Sequence, residues 1–216
     1  MKYNYLIFDF DGTLADTREP IIHAYQEAYS ALGVRVPTPE EITSHIGMTL
    51  QDVFMSTVEG ATPELAAKAV VLYRAAFARL AKPLTVAFPG VVDMLRRLRG
   101  EGYRMSIASS RSHTSLEDLA EFLGVDAFFE KMCGAEDVVN HKPSPDMVDL
   151  IVDSFALDRS KVLVIGDATF DILMAHAAGC DACAVTWGNQ KEEVLRTVSP
   201  EFMISSAEKI FDVLEH

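Results

Sequence analysis

Cysteine is scarce in this chain. Cys133, Cys180 and Cys183 are the three present, too few and too unevenly placed for a disulfide framework. Cys180-Asp181-Ala182-Cys183 has the spacing of half a zinc or redox site, but no second Cys/His pair stands at ligand spacing. The pair therefore reads as two small buried residues flanking a strand. Long apolar runs are missing as well: no stretch reaches eighteen apolar residues, which removes a membrane-spanning helix. The opening Met1-Lys2-Tyr3-Asn4-Tyr5-Leu6-Ile7-Phe8-Asp9 meets a carboxylate too early for the apolar region of a signal peptide, so a cytoplasmic location is expected. Positive charge is short too, with 19 basic against 32 acidic residues and a net charge of −13. That field disfavours prolonged contact with nucleic acid or an anionic membrane. A small anionic ligand stays compatible, because local donors or a metal can overrule a global field.

What is present describes a globular α/β protein. The 216 residues are 49% hydrophobic and 24% charged, enough for one large domain or one domain with a small insertion. Short apolar runs at Leu6 to Phe10, Met105 to Ala108, Val162 to Ile165 and Ala182 to Thr186 suit strands covered on both faces, with weaker candidates at Lys131 to Cys133 and Phe202 to Ile204. Helical spacing of apolar residues appears at Val91 to Arg99, Leu116 to Leu123, Pro145 to Phe155, Asp171 to Ala178 and Glu192 to Thr197. Gly100, Gly124 and Gly179 are expected to close three of these helices in the left-handed conformation. The alternation predicts a doubly wound, Rossmann-like parallel sheet.

It fails between about Asp16 and Leu84, where helical patterns follow one another. Thr38-Pro39-Glu40-Glu41 combines a capping residue, a first-turn proline and a reciprocal glutamate, so a helix should start there. Thr62-Pro63-Glu64 should start another, running to about Leu80, and Pro20 to Leu32 carries a third. Residues 17–84 thus read as a helical insertion in a core made of residues 1–16 and 85–216.

Several polar groups stand at the ends of the expected core strands, the side on which open α/β sheets bind ligands. Asp9 and Asp11 close the first, and the two-residue period of a strand points both carboxylates the same way. Gly12 permits a sharp turn there, and Thr13 adds a hydroxyl. Ser109 and Ser110, in Ile107-Ala108-Ser109-Ser110-Arg111, offer a hydroxyl and free N–H groups ahead of a helix, which suits a phosphate or an ordinary helix cap. Lys142, between His141 and Pro143, sits on a stiff segment and can act as a fixed positive charge. Asp167 and Asp171 follow Val162-Leu163-Val164-Ile165-Gly166. Four acids arriving together form an oxygen-rich site of the kind that selects Mg²⁺.

These patches resemble the haloacid dehalogenase superfamily, in its phosphoglycolate phosphatase-like and β-phosphoglucomutase-like branch. Asp9-Phe10-Asp11-Gly12-Thr13-Leu14 looks like the first family motif, Ser109-Ser110 the second, Lys142-Pro143 the third, and Gly166-Asp167 with Asp171 the fourth. Trp187-Gly188 also looks like the branch, while Ala168 departs from it where a hydroxyl residue is common.

The resemblance implies a phosphatase acting on a small phosphorylated metabolite, with Asp9 as nucleophile and Asp11 as acid and base. It also implies Mg²⁺ held by the Asp9 carboxylate, the Asp11 carbonyl and Asp167, with Asp171 ordering its surroundings. Thr13, Ser109, Ser110 and Lys142 would bind the phosphoryl group. The helices of 17–84 would form a cap whose loop Ser44-His45-Ile46-Gly47-Met48-Thr49 reaches the site. His45 or Thr49 would then touch substrate, unless Thr49 simply caps a helix.

Within the same resemblance a mutase and a pyrophosphatase remain open. A dehalogenase would lack Asp11, and a phosphonatase needs a cap-loop lysine where this chain has only Lys68 and Lys82, both in expected helices. A silent binding module has no use for so many acids. Monomer and homodimer are both compatible.

Overall fold

A computed structural model describes residues 2–215. The chain opens with β1 (Tyr5–Phe8) and a two-residue β2 (Ala15–Asp16), then runs through α1 (Arg18–Leu32), α2 (Pro39–Thr43), α3 (Leu50–Thr57) and α4 (Pro63–Leu84) before β3 (Val86–Ala87). There follow α5 (Val91–Gly100), β4 (Arg104–Ala108), α6 (His113–Phe122), β5 (Lys131–Cys133) and α7 (Asp146–Phe155). The last stretch holds β6 (Val162–Gly166), α8 (Thr169–Ala177), β7 (Asp181–Val185), α9 (Glu192–Leu195), β8 (Phe202–Ile204) and α10 (Ile210–Leu214).

Six strands form one sheet in the order β5-β4-β1-β6-β7-β8, every pairing parallel. Neighbours in β1 alternate between two buried clusters. Leu6 and Phe8 face one, together with α5, α6 and α10, while Tyr5 and Ile7 face the other, with α7 and α8. The strand period forces this division, and it explains why the core strands are apolar throughout. From β1 the chain steps outward to β4 and β5, then returns to the opposite side of β1 for β6, β7 and β8. The reversal opens a crevice at the carboxyl end of β1.

The helices between β2 and β3 bury their apolar faces against one another and continue the cluster on the Leu6 face. Tyr25 and Tyr29 of α1, Phe54 of α3, and Tyr73 and Phe77 of α4 are all buried. Tyr25 packs on Phe54 and Tyr73 at ring separations of 5.3 and 4.6 Å. At Thr38 the expected cap forms in both directions: its hydroxyl accepts Glu41 N–H, and Glu41 accepts Thr38 N–H.

Some elements differ from the sequence reading. β1 stops at Phe8 instead of Phe10, because the Phe10 carbonyl turns inward to accept the N–H groups of Leu14 and Ala15. Gly100 remains within α5, and the left-handed residue is Gly102, at φ +88°. One further backbone bond, Glu101 N–H to Arg97 carbonyl, carries the helix past the glycine. Gly124 and Gly179 do adopt left-handed angles. α4 continues to Leu84, with Pro83 in its last turn. α10 and the β2–β3 ribbon were not anticipated, and α3 only as the helix that Thr49 would cap, since elements of two to eight residues show little periodicity. The ribbon pairs Ala15 with Ala87 and Asp16 with Val86, clamping together the two ends of the helical insertion.

Candidate active site

Immediately after β1, Asp9 still donates its N–H to the Ile165 carbonyl, so its position is set by the sheet. The chain then reverses through Gly12, at φ +91°. This position needs glycine twice over: a Cβ would sit 2.1 Å from Asp167 Oδ2 and 2.2 Å from Asn189 Nδ2, in a backbone conformation that L side chains resist. Asp167 is wedged from the other side by Gly188, where a Cβ would fall 2.3 Å from the same carboxylate oxygen. Glycines at these turns let backbone and carboxylate approach more closely than any side chain would allow.

The result is a compact buried triad. One ligand oxygen from each of Asp9, Asp167 and Asp171 lies within 4.8 Å of the others. Lys142 Nζ donates to Asp9 Oδ1 at 2.7 Å and to Asp171 Oδ1 at 2.6 Å, with its own side chain fully enclosed. Asp167 accepts the Asn189 N–H at 2.6 Å and the Thr13 hydroxyl at 3.3 Å. Asp171 also accepts the Ala168 N–H at the start of α8, so it caps the helix as well as facing Lys142.

Electrostatically the cluster is under-compensated. Burial pushes the Asp9 carboxyl well above the usual carboxylate range; the Lys142 ammonium pulls it down, and the charges of Asp171 and Asp167 add to the rise. Burial and then the Asp171 charge bring Asp167 up to about 7, against the Asn189 N–H and Lys142. For Lys142 burial favours the neutral amine, yet Asp171 and Asp9 outweigh it and hold the ammonium above its ordinary value. With all three carboxylates ionised, the single ammonium leaves two negative charges unbalanced in a buried place. That donor set and that charge fit a divalent cation bound through oxygen.

Asp11 points elsewhere. Both its oxygens are held by the guanidinium of Arg111, and Thr17 donates to Oδ1 at 2.5 Å. Its carboxylate is therefore outside the triad, and its main-chain carbonyl receives Asn189 Nδ2 at 3.3 Å. The even spacing of Asp9 and Asp11 did not put their carboxylates in one small volume, because the strand ends before either residue.

A cavity of about 850 Å³ separates the sheet's carboxyl edge from the inserted helices. Asp9, Asp11, Ser109, Ser110 and Arg111 line its floor. His45 and Thr49 line it too: His45 Nδ1 contacts the Glu41 carbonyl at 2.7 Å while its Nε2 makes no hydrogen bond to a described residue, and the Thr49 hydroxyl donates to Asp52 while capping α3. The Ser110 hydroxyl donates 2.6 Å to the Gly47 carbonyl, tying the core to the helical insertion. Thr13 and Lys142 stay behind the floor, on the triad.

Sequence reasoning missed Arg111, Thr17 and Asn189. Arg111 stood in a quoted stretch and its charge beside a strand-end acid was the available signal; nothing in the linear pattern marks Asn189, which reaches the site only through the loop after β7. Trp187, flagged by resemblance, donates its indole N–H to the Thr13 carbonyl at 3.1 Å.

Among the described residues, no helix is long and apolar enough to cross a membrane. Residues 6–185 match the family model described as haloacid dehalogenase-like hydrolase. In sequence, the chain is 33% identical to a protein named "Probable phosphatase IndB" of Dickeya dadantii (strain 3937), over 95% of this chain and 90% of that one. It is 30% identical to the pyrophosphatase PpaX of Bacillus pumilus (strain SAFR-032), over 98% and 94%. In structure, it resembles a Bacteroides fragilis protein assigned to the haloacid dehalogenase-like hydrolases, with a TM-score of 0.92, 27% identity and coverage of 97% and 100%. A family model matched over residues 6–185 and a relative 33% identical along nearly the whole chain mean that the chain belongs to the haloacid dehalogenase-like hydrolase family.

Proposed function

We propose that this hydrolase is a cytoplasmic, Mg²⁺-dependent phosphatase of a small phosphorylated metabolite, working through an aspartyl-phosphate on Asp9. The observation that carries the reading is the buried triad of Asp9, Asp167 and Asp171 with Lys142 enclosed beside it. A carboxylate attacks an anionic phosphorus only where the phosphoryl charge is neutralised. Asp9, Asp167 and Asp171 would hold the cation, with the Asp11 carbonyl close by, and the ion would neutralise charge on the phosphoryl oxygens. Lys142 supplies a fixed positive charge at the same place, and the Ser109 hydroxyl and the Ser110 main-chain N–H would offer donors on the cavity floor.

In the first step an Asp9 oxygen bonds to phosphorus as the ester O–P bond breaks, and Asp11 gives its proton to the departing alkoxide. In the second, Asp11 takes a proton from water, whose oxygen attacks phosphorus and releases the Asp9 carboxylate. Thr17 and Arg111 fix the Asp11 side chain beside the cavity. Residues 17–84 act as a cap over a core of 1–16 and 85–216, excluding water when closed.

The relative from Bacillus pumilus supports a second reading, in which the substrate is pyrophosphate. Both readings require the same covalent step. Acid-quenched turnover mixtures reduced with borohydride should carry homoserine at position 9, and Asp9→Asn should abolish turnover while keeping the fold. Continued turnover with an unmodified Asp9 would overturn the assignment. Transfer of the phosphoryl group to a sugar instead of water would indicate a mutase.

A further inference from the structure

Among the described residues, two phenol hydroxyls of the cavity have no hydrogen-bond partner. Tyr25 and Tyr73 are 4% and 6% exposed, both line the cavity, and no described residue hydrogen-bonds to either hydroxyl. Tyr29, one turn further along α1, behaves differently, since its hydroxyl pairs with Thr57. The two free hydroxyls are not sealed off either: among the described residues, the sealed and partnerless side-chain atoms are Thr85 Oγ1 and His141 Nδ1. Buried polar groups are nearly always satisfied, so donors that stay open to a cavity mark a place for a ligand's acceptor.

Arg111 is joined to both phenols through packed rings, since Phe77 stacks on Tyr73 at 5.7 Å and Tyr73 packs on Tyr25 at 4.6 Å. Of its five N–H groups, two bind Asp11 and one binds Ser115, leaving two uncommitted. Its guanidinium lies 4.5 Å over the Phe77 ring, which fixes its plane from the side of α4. The rest of the lining is mixed: Ile21, Met48, Val70 and Phe77 give it apolar surface, while Arg74, Asp118 and Glu136 bring charge of both signs.

We propose that Tyr25, Tyr73 and Arg111 form a leaving-group subsite for an anionic substituent, a carboxylate or second phosphate, carried on an apolar or aromatic body. The proposal rests on the phosphatase reading for the word leaving group, but the subsite is defined by its own donors. A cavity of about 850 Å³ is at the upper end of small-ligand sites. A leaving group of a few atoms would leave its apolar surface in contact with water, whereas a ring or alkyl body covers it.

The test uses the Mg²⁺-loaded protein and two probes that differ by one carboxylate, 4-hydroxybenzoate and phenol, titrated by calorimetry. The expected result is that 4-hydroxybenzoate binds about tenfold more tightly or better, as a charge-assisted contact implies. Arg111→Met and the double variant Tyr25→Phe/Tyr73→Phe should each bring the two probes close to parity. The phenylalanines keep the rings, so the double variant carries the test if Arg111→Met does not fold. Equal binding by the wild type, or a preference that survives every variant, overturns the subsite.

In parallel, kcat/KM is compared for 4-carboxyphenyl phosphate, phenyl phosphate and pyrophosphate. Preference for the carboxylated ester supports the full proposal, and preference for pyrophosphate over both esters overturns the apolar body. Charge-selective binding without hydrolysis of any phosphate would leave the subsite standing and end the phosphatase reading; hydrolysis without charge preference would do the reverse.

Discussion

Lys142 Nζ donates to Asp9 Oδ1 across 2.7 Å, joining the segment after β5 to the end of β1 in a place closed to solvent. The same ammonium binds Asp171, so one cation restrains two carboxylates. Lys142→Met would leave them facing each other uncompensated. Removing one partner of a buried pair costs about 3–5 kcal/mol. Urea denaturation of the chelated protein should show a loss of that order, and phosphatase activity should fall by about a thousandfold as the fixed charge is lost. An unchanged urea midpoint would mean that the pair does not hold the site together.

Metal should do for the triad what Lys142 does incompletely. A dication that binds only the folded chain stabilises it by about 2.7 kcal/mol at a hundred times its Kd, or roughly 5–10 °C in a domain of this size. Melting curves with EDTA and with millimolar Mg²⁺ should differ by that amount, and chelation should abolish turnover reversibly. Coincident curves would count against a metal at the triad.

Acidity offers a separate check on the metal-free protein. Asp167 is raised to about 7 by burial and by the Asp171 charge, whereas an unfolded aspartate titrates near ~3.9. Its contribution is therefore fully present below ~3.9 and is lost as pH rises through about 7, at up to ~1.4 kcal/mol per pH unit. In EDTA, unfolding free energy should decline across that window more steeply in the wild type than in Asp167→Asn. Identical slopes would remove Asp167 as the titrating group.

Gly12→Ala tests whether close approach matters as much as the acids do. The added methyl would meet Asp167 Oδ2 at 2.1 Å in a left-handed backbone. We expect a drop in kcat/KM of about a hundredfold or more, as a displacement near 1 Å can produce, and a smaller Mg²⁺-induced rise in melting temperature. Wild-type kinetics in this variant would show that the loop tolerates the displacement. Gly100→Ala, inside α5 with nothing within 4 Å of the new Cβ, is the control and should be stabilised by about 0.4–1 kcal/mol.

The acids were legible because their positions follow from local rules. Apolar strand, acid, glycine and helix onset recur at Phe8-Asp9 and at Ile165-Gly166-Asp167, and parallel sheets gather strand ends on one edge. Lys142 stood out locally only as a charge on the stiff segment before Pro143, and its role came from the family resemblance, since that segment has no periodicity of its own. Thr49 was left between two roles, and the structure adds the observation that its hydroxyl caps α3.

What the sequence alone determined was the alternation that builds the parallel sheet, the helical stretch that interrupts it, and the set of acids delivered to its carboxyl edge, because apolar period, caps and glycines act over a few residues. Only tertiary structure decided which charges meet: that Asp11 turns to Arg111, that Asn189 reaches Asp167, and that Tyr25 and Tyr73 keep free hydroxyls over the same cavity. These contacts join residues up to 100 positions apart, and no local preference specifies a partner at that distance. Packing of α1 on α4, and of the strand-end loops on one another, does, because it sets which side chains share a space.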